Sequence, residues 1–243
     1  CAGLIIRLNL KLIKLYISLL NKNSDERKSC LLKVLTVILK VNQPIESESL
    51  NDLIPIIISG IEQKDRLIKE NSIQALSCYQ FANKLKLLEI YQEEKYRKLI
   101  YNCCEIDKNY IREADFGGGN KIIEDKGVEL RKDAYDIITF IIDNFPNKVI
   151  FQEIVPLMIN CLMETEDYLQ NNIYKNLVKL AKLNSSSFSP YGGLFIDTLF
   201  KVWKRINIED SKRNFSINVK NIFEEVKDVQ TITGNARYGA VVS

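Results

Sequence analysis

Residues 111–135 read IREADFGGGNKIIEDKGVELRKDAY. Partial alternation through Ile111, Ala114 and Phe116, and then through Lys121, Ile122 and Ile123, flanks the run Gly117, Gly118 and Gly119. Glycine tolerates the positive φ of a tight reversal, so this pattern predicts a two-stranded ribbon over about residues 111–125. From Gly127 onward an amphipathic helix restarts. An isolated hairpin is only marginally stable in water, so one set into a helical chain is expected to be held by its helices or to serve a contact. Contact is the role expected here.

On both sides of the ribbon the apolar residues recur every three or four positions, which is the helical period. Leu8, Leu12, Leu15 and Leu19 mark one side of a helix over 4–20, while Arg7, Lys11 and Lys14 mark a solvated side. Ser24 and Asp25 can cap a second helix running to about residue 41, before a loop at Pro44. Helices are then predicted over 50–63, 65–84 and 85–106, the last with a break near Gln92. After the ribbon they follow over 127–144, 148–163, 167–183, 193–206 and 210–226, with a link at 206–209 between the last two. Phe140, Tyr174, Phe200 and Trp203 are expected in the core, and some of Tyr91, Tyr96, Tyr101 and Tyr110 at the base of the ribbon.

The helices repeat. A capping or turn residue is followed four positions later by a long polar residue, and three beyond that by a small or apolar one. The sets are Ser24, Lys28, Leu31; Asp65, Lys69, Ser72; Gly127, Arg131, Ala134; and Glu166, Gln170, Ile173. Their offsets are 41, 62 and 39 residues, against roughly 40 for a HEAT-type helical hairpin. The long middle interval holds one repeat plus about twenty residues, enough for the ribbon. The fold expected is therefore all-α, a HEAT-type helical-repeat solenoid with one inserted β-hairpin. Stacked pairs of this kind cover one another's apolar faces and leave an extended surface for other proteins.

Composition removes several classes of function. A net charge of +3 over 243 residues, without a block of like charges, is no nucleic-acid footprint. The longest uncharged apolar run, 53–61, is about half a bilayer span and contains Pro55. No partner nucleic acid and no membrane are expected. The chain has no histidine, which removes the usual imidazole base and the Ser-His and Cys-His pairs. Its six cysteines are scattered, and the close pair Cys103 and Cys104 lacks the further ligands a zinc site needs. Reduced core thiols in an intracellular protein are expected, with no metal and no cofactor. The run from Gly117 to Lys121 lacks Walker spacing and the following Ser or Thr, so it reads as a turn. Cys1 stands first in place of Met, which gives the expectation of the downstream part of a longer polypeptide.

The order Tyr110-Ile111-Arg112-Glu113, a glycine turn, then Glu124-Asp125-Lys126-Gly127-Val128-Glu129-Leu130-Arg131-Lys132-Asp133-Ala134-Tyr135 resembles a known family. It is similar to the carboxyl-terminal TATA-binding-protein-interacting (TIP-type) domain of the cullin-associated and neddylation-dissociated proteins. Glu209, Asp210, Ser211, Lys212 and Arg213 also resemble the start of that family's last helix. The resemblance covers the second half of the chain, and the first half is similar only as generic HEAT repeats. It implies helical repeats over 1–107 and a TIP-type domain over 108–243 in one continuous solenoid.

By function, the resemblance implies a non-catalytic scaffold, cytoplasmic or nuclear, that binds the amino-terminal helical region of a cullin. It would regulate cullin-RING ubiquitin ligases by competing with adaptor and substrate-receptor binding. The implied partner-binding residues are Arg112, Glu113, Phe116, Gly117, Gly118, Gly119, Asn120, Lys121, Ile122, Ile123, Glu124 and Asp125. Phe116, Ile122 and Ile123 would be apolar anchors, and Lys121 and Glu124 the rim. Gly118, Gly119 and Asn120 depart from the proline and bulky residues of the family's turn, leaving a less adhesive tip. The competing expectation is a generic HEAT scaffold, such as a transport receptor, phosphatase scaffold or tubulin-folding factor, whose ribbon is a local elaboration.

Overall fold

Wherever the chain is described (residues 18–19, 25–40, 51–115, 121–164 and 166–210 of a computed structural model), helices follow one another with one β-hairpin between them. Before the hairpin come α1 (Asp25–Lys40), α2 (Ile54–Ile61), α3 (Arg66–Ser77), α4 (Tyr79–Ala82), α5 (Lys84–Gln92) and α6 (Glu94–Cys104). The hairpin is β1 (Ile111–Asp115) with β2 (Lys121–Asp125), where the ribbon was predicted. After it come α7 (Val128–Asn144), α8 (Phe151–Cys161), α9 (Asp167–Leu183), α10 (Ser185–Phe188) and α11 (Gly192–Asp210). The Pro44 loop, the glycine reversal at 116–120, and nearly all of the helices expected over 4–20 and 210–226 lie outside the described residues.

Local chemistry sets the helix ends. Asp65 caps α3, its carboxylate accepting from the Ile68 amide at 3.0 Å. Pro55 stands in the first turn of α2, where no amide donor is missed. The helix expected over 65–84 is divided at Cys78, between α3 and α4, and it ends close to the expected boundary, where Asn83 is extended and its side chain caps α5 by accepting from the Lys86 amide at 3.0 Å. Glu93 is likewise extended and separates α5 from α6, at the break expected near Gln92. The buried Arg97 donates across that break to the carbonyls of Tyr91 (3.4 Å) and Gln92 (3.2 Å), at the end of α5. The link expected at 206–209 is helical instead, since neither glycine nor proline interrupts the chain there and α11 runs on to Asp210.

Contacts divide the chain within α7 into two units, Cys1–Phe140 and Ile141–Ser243. In the first, α3 packs against both α1 and α2. Gly60 permits the close α2–α3 approach: a Cβ there would lie 2.0 Å from the Ser72 hydroxyl. Asn71 ties α3 to α1 by donating to the Ser29 hydroxyl at 2.7 Å. The hydroxyls of Tyr91 and Tyr101, both buried, meet at 2.8 Å between α5 and α6. In the second unit α8 packs against α9, α10 and α11, and Phe195 lies between Tyr174 and Phe188, with ring centroids at 6.4 and 5.8 Å. Phe140 and Tyr174 are buried as expected and Phe200 is partly so, but Trp203 is 38% exposed. Trp203 lies off the buried ridge of α11, which consists of Phe195, Thr198 and Val202.

The repeated slots have a structural meaning. Three of their four third members, Ser72, Ala134 and Ile173, are 0% exposed, while Leu31 is half-buried. The long polar member of two sets reaches back to the turn before its own helix. Gln170 donates to the carbonyls of Leu162 (2.9 Å) and Glu164 (3.1 Å), while Arg131 donates to Asp125 at 2.7 Å. A buried polar side chain must find partners, and here the partners are the connecting turns, which are thereby fixed to the array.

Asp133 of α7 is 7% exposed and its Oδ2 has no hydrogen-bond partner. Burial and the nearby Asp136 push its carboxyl up to about 7. A raised folded-state pKa means that the folded chain holds this proton more tightly. The resulting stability is fully present below the ordinary carboxylate range and is lost as pH rises toward 7. Asp133→Asn is therefore expected to be more stable than wild type at pH 8 by roughly 2 kcal/mol and little different at pH 4, as read by urea denaturation.

Candidate functional site

The hairpin is antiparallel, pairing Ile111 with Asp125, Arg112 with Glu124, Glu113 with Ile123, Ala114 with Ile122 and Asp115 with Lys121. Arg112 and Glu113 on β1 and Glu124 on β2 are exposed, and Arg112 faces Glu124 in an opposite-charge cross-strand pair. Lys126 also reaches Glu124, at 3.3 Å. The backbone places Lys121, Ile122 and Ile123 on β2, whereas Phe116, Gly117, Gly118, Gly119 and Asn120 lie outside the described residues.

Asp125 differs from the other expected contact residues. Its two carboxylate oxygens are committed within the chain, one accepting from Arg131 at 2.7 Å and the other from the Gly127 amide at 2.8 Å. Burial opposes the charge on Asp125, but the hydrogen bonds from Arg131 and Gly127, with the guanidinium charge, outweigh it and hold the carboxyl below its ordinary value. The pair therefore stays charged at neutral pH. Arg131 is 1% exposed, so removing its anion would leave a buried charge uncompensated.

The root is closed on its other sides. The Lys126 amide donates to the Tyr110 carbonyl at 3.0 Å, one step beyond the last ladder pair. Arg66, at the start of α3, donates to the Lys126 carbonyl at 2.9 Å and also pairs with Glu70. Tyr110 sits at the base as expected of one of the tyrosines, while Tyr91 and Tyr101 serve the α5–α6 core. Gly127 is needed for space: a Cβ there would meet Arg131 Nη1 at 3.0 Å, the Tyr110 ring at 3.1 Å and Asp125 Oδ1 at 3.2 Å. Gly127→Val is expected to destabilise the chain by about 1–3 kcal/mol, measured by thermal unfolding, because a buried ion pair cannot move aside.

Sequence reading missed Arg66 in this arrangement, and no local signal marks a residue 60 positions from its partner. Arg131 was visible as a repeated polar slot and within the family-like order, but not as the partner of Asp125. Cys103 and Cys104 are buried against the core, and burial pushes the Cys103 thiol up to about 11. Among the described residues no group of three or more Cys, Asp or Glu is arranged to hold a metal, and no helix is long and apolar enough to cross a membrane.

These features define a helical-repeat scaffold with one short β-ribbon held between its helices. The profile of the family TIP120, "TATA-binding protein interacting (TIP20)", matches residues 90–231, and the chain belongs to that family. The match begins in α5 and takes in the hairpin and every later helix among the described residues. No curated protein matches the chain in sequence. Among solved structures it is similar to a designed armadillo repeat protein in complex with the peptide (KR)4, at 12% identity and TM-score 0.57, over 95% of this chain and 89% of that one. It is also similar to an engineered protein from the Northeast Structural Genomics Consortium, at 11% identity and TM-score 0.55, over 95% of this chain and 87% of that one. These likenesses establish the repeat fold and bear out the expected architecture.

Proposed function

We propose that the chain is a non-catalytic scaffold that binds the amino-terminal helical region of a cullin through the hairpin. By doing so it regulates cullin-RING ligase assembly, competing with the adaptor and substrate receptor for the same surface. The observation that carries this reading is a ribbon anchored at its root, with exposed charges at Arg112, Glu113 and Glu124, within the segment whose order resembles the TIP-type domain. Membership of the TIP120 family supports it. A preset ribbon loses less conformational entropy on docking than a free loop would. The non-catalytic part is supported by Cys103, whose thiol stays protonated near neutral pH and is a poor nucleophile. The site of action proposed is the cytoplasm, the nucleus or both.

The test is capture of a purified cullin amino-terminal domain by this chain, alone and in competition with the adaptor. Saturable capture that the adaptor displaces supports the reading, and no capture at micromolar concentrations defeats it. The commitment of Asp125 to its own helix favours a second reading, a general HEAT scaffold with the ribbon as a local elaboration. Affinity purification from native lysate separates the two, because only the first predicts cullin-containing complexes.

A further inference from the structure

We propose that Arg66 and Arg131 form a two-point clamp that fixes the angle at which the hairpin leaves the array, making Arg66 a positioning residue for the binding described above. The functional consequence rests on that reading; the clamp itself rests on geometry alone.

Each guanidinium holds a different part of the same root. Arg131, from α7, takes the Asp125 side chain at 2.7 Å. Arg66, from α3, takes the main-chain carbonyl of the next residue, Lys126, at 2.9 Å. The Lys126 amide is meanwhile bound to Tyr110 at 3.0 Å, so both polar groups of that peptide unit's residue are held. A ribbon joined to helices only through its two chain ends can pivot about the line between them. Two attachments from separate helices remove that pivot. The lever matters: five-residue strands extend about 14 Å, so a 20° swing at the root moves their far ends by about 5 Å, more than a contact distance. Because Arg66 holds a carbonyl, its role does not depend on the side chain at position 126. Its position, on a helix before the ribbon and outside the segment expected to touch a partner, separates positioning from contact.

The test compares Arg66→Ala, Arg66→Lys and Glu70→Gln in the full chain, reading amide hydrogen exchange of residues 111–115 and 121–126. Arg66→Ala is expected to speed exchange in the ribbon about tenfold while amides of α6 and α7 keep their protection. Arg66→Lys, which retains a donor for the Lys126 carbonyl, is expected to restore most of that protection. Glu70→Gln removes the ion pair beside Arg66 but leaves the clamp, and is expected to leave the ribbon unchanged. Unchanged ribbon exchange in Arg66→Ala, or an equal acceleration in Glu70→Gln, overturns the clamp. In the cullin-domain assay Arg66→Ala is expected to weaken capture about tenfold, although position 66 lies outside the contact segment. Loosened exchange with undiminished capture overturns the positioning role. If the wild type captures no cullin domain, the functional reading fails by itself and the exchange result still decides the clamp.

Discussion

Deletion of residues 116–123 is expected to weaken capture of a cullin amino-terminal domain at least thirtyfold while leaving the helical circular dichroism intact. The size follows from how interfaces distribute energy: a few central apolar anchors each contribute roughly 2 kcal/mol or more, and the deletion removes Phe116, Ile122 and Ile123 together. The helical signal should survive because helix hydrogen bonds are internal to each helix. The root also survives, since Asp125, Gly127 and Arg131 lie beyond the deletion. Tyr135 keeps its bond to the Cys104 carbonyl at 3.2 Å, which joins α7 to α6 independently of the ribbon. Isothermal titration of the deleted and intact chains decides the matter. Equal affinities would remove the hairpin from the mechanism.

Ala134→Asp is expected to have the opposite character, costing about 4 kcal/mol or more and unfolding the first unit. Ala134 is 0% exposed, and Tyr135, Ile137 and Ile138 around it are buried to the same degree. A carboxylate placed there gains no partner, and the neighbouring Asp133 already holds an oxygen without one. A second acid beside the first raises the cost further, because like charges in a dry site repel strongly. Leu130→Asp should behave similarly, as Leu130 is 3% exposed. Total stabilities of about 5–15 kcal/mol leave little margin for a loss of this size. A melting temperature unchanged in the double variant would refute the assignment of this face of α7 to the core.

The contrast between these two variants follows the division between what the sequence displays and what it hides. Periodicity exposed the helices, and the interval between Asp65 and Gly127 exposed the insertion, because both are written along the chain. Helix ends were harder. The end near Asn83, whose side chain caps the next helix, lies close to the expected boundary, but the apolar period runs on through Cys78, so the division of α3 from α4 there did not show. At 206–209 a link was expected before a last helix, but no residue there stops a helix and α11 runs through it. Trp203 illustrates a third limit. Its position on α11 fits the apolar pattern, and only the packing of Phe195 and Val202 reveals which stripe is buried.

At the site, the strands were legible and their attachment was not. Asp125 reads as surface beside Glu124, and the two differ because the Gly127 amide and Arg131, one turn into the following helix, both come back to Asp125 at the root. The contribution of Arg66 depends on the packing of α3 near the hairpin, a tertiary fact with no counterpart in local composition.

Among the described residues the ribbon has no interior strand: β1 pairs with β2, and no third strand is paired with either. Bare main-chain edges recruit further strands, the route by which soluble proteins aggregate in concentrated solution. Exposed Arg112, Glu113 and Glu124 discourage such growth, since a second copy approaching edge-on must bury or oppose these charges. The same side chains that would meet a partner therefore also keep neighbouring molecules apart, so neutralising them would trade solubility for stickiness even where binding was unaffected.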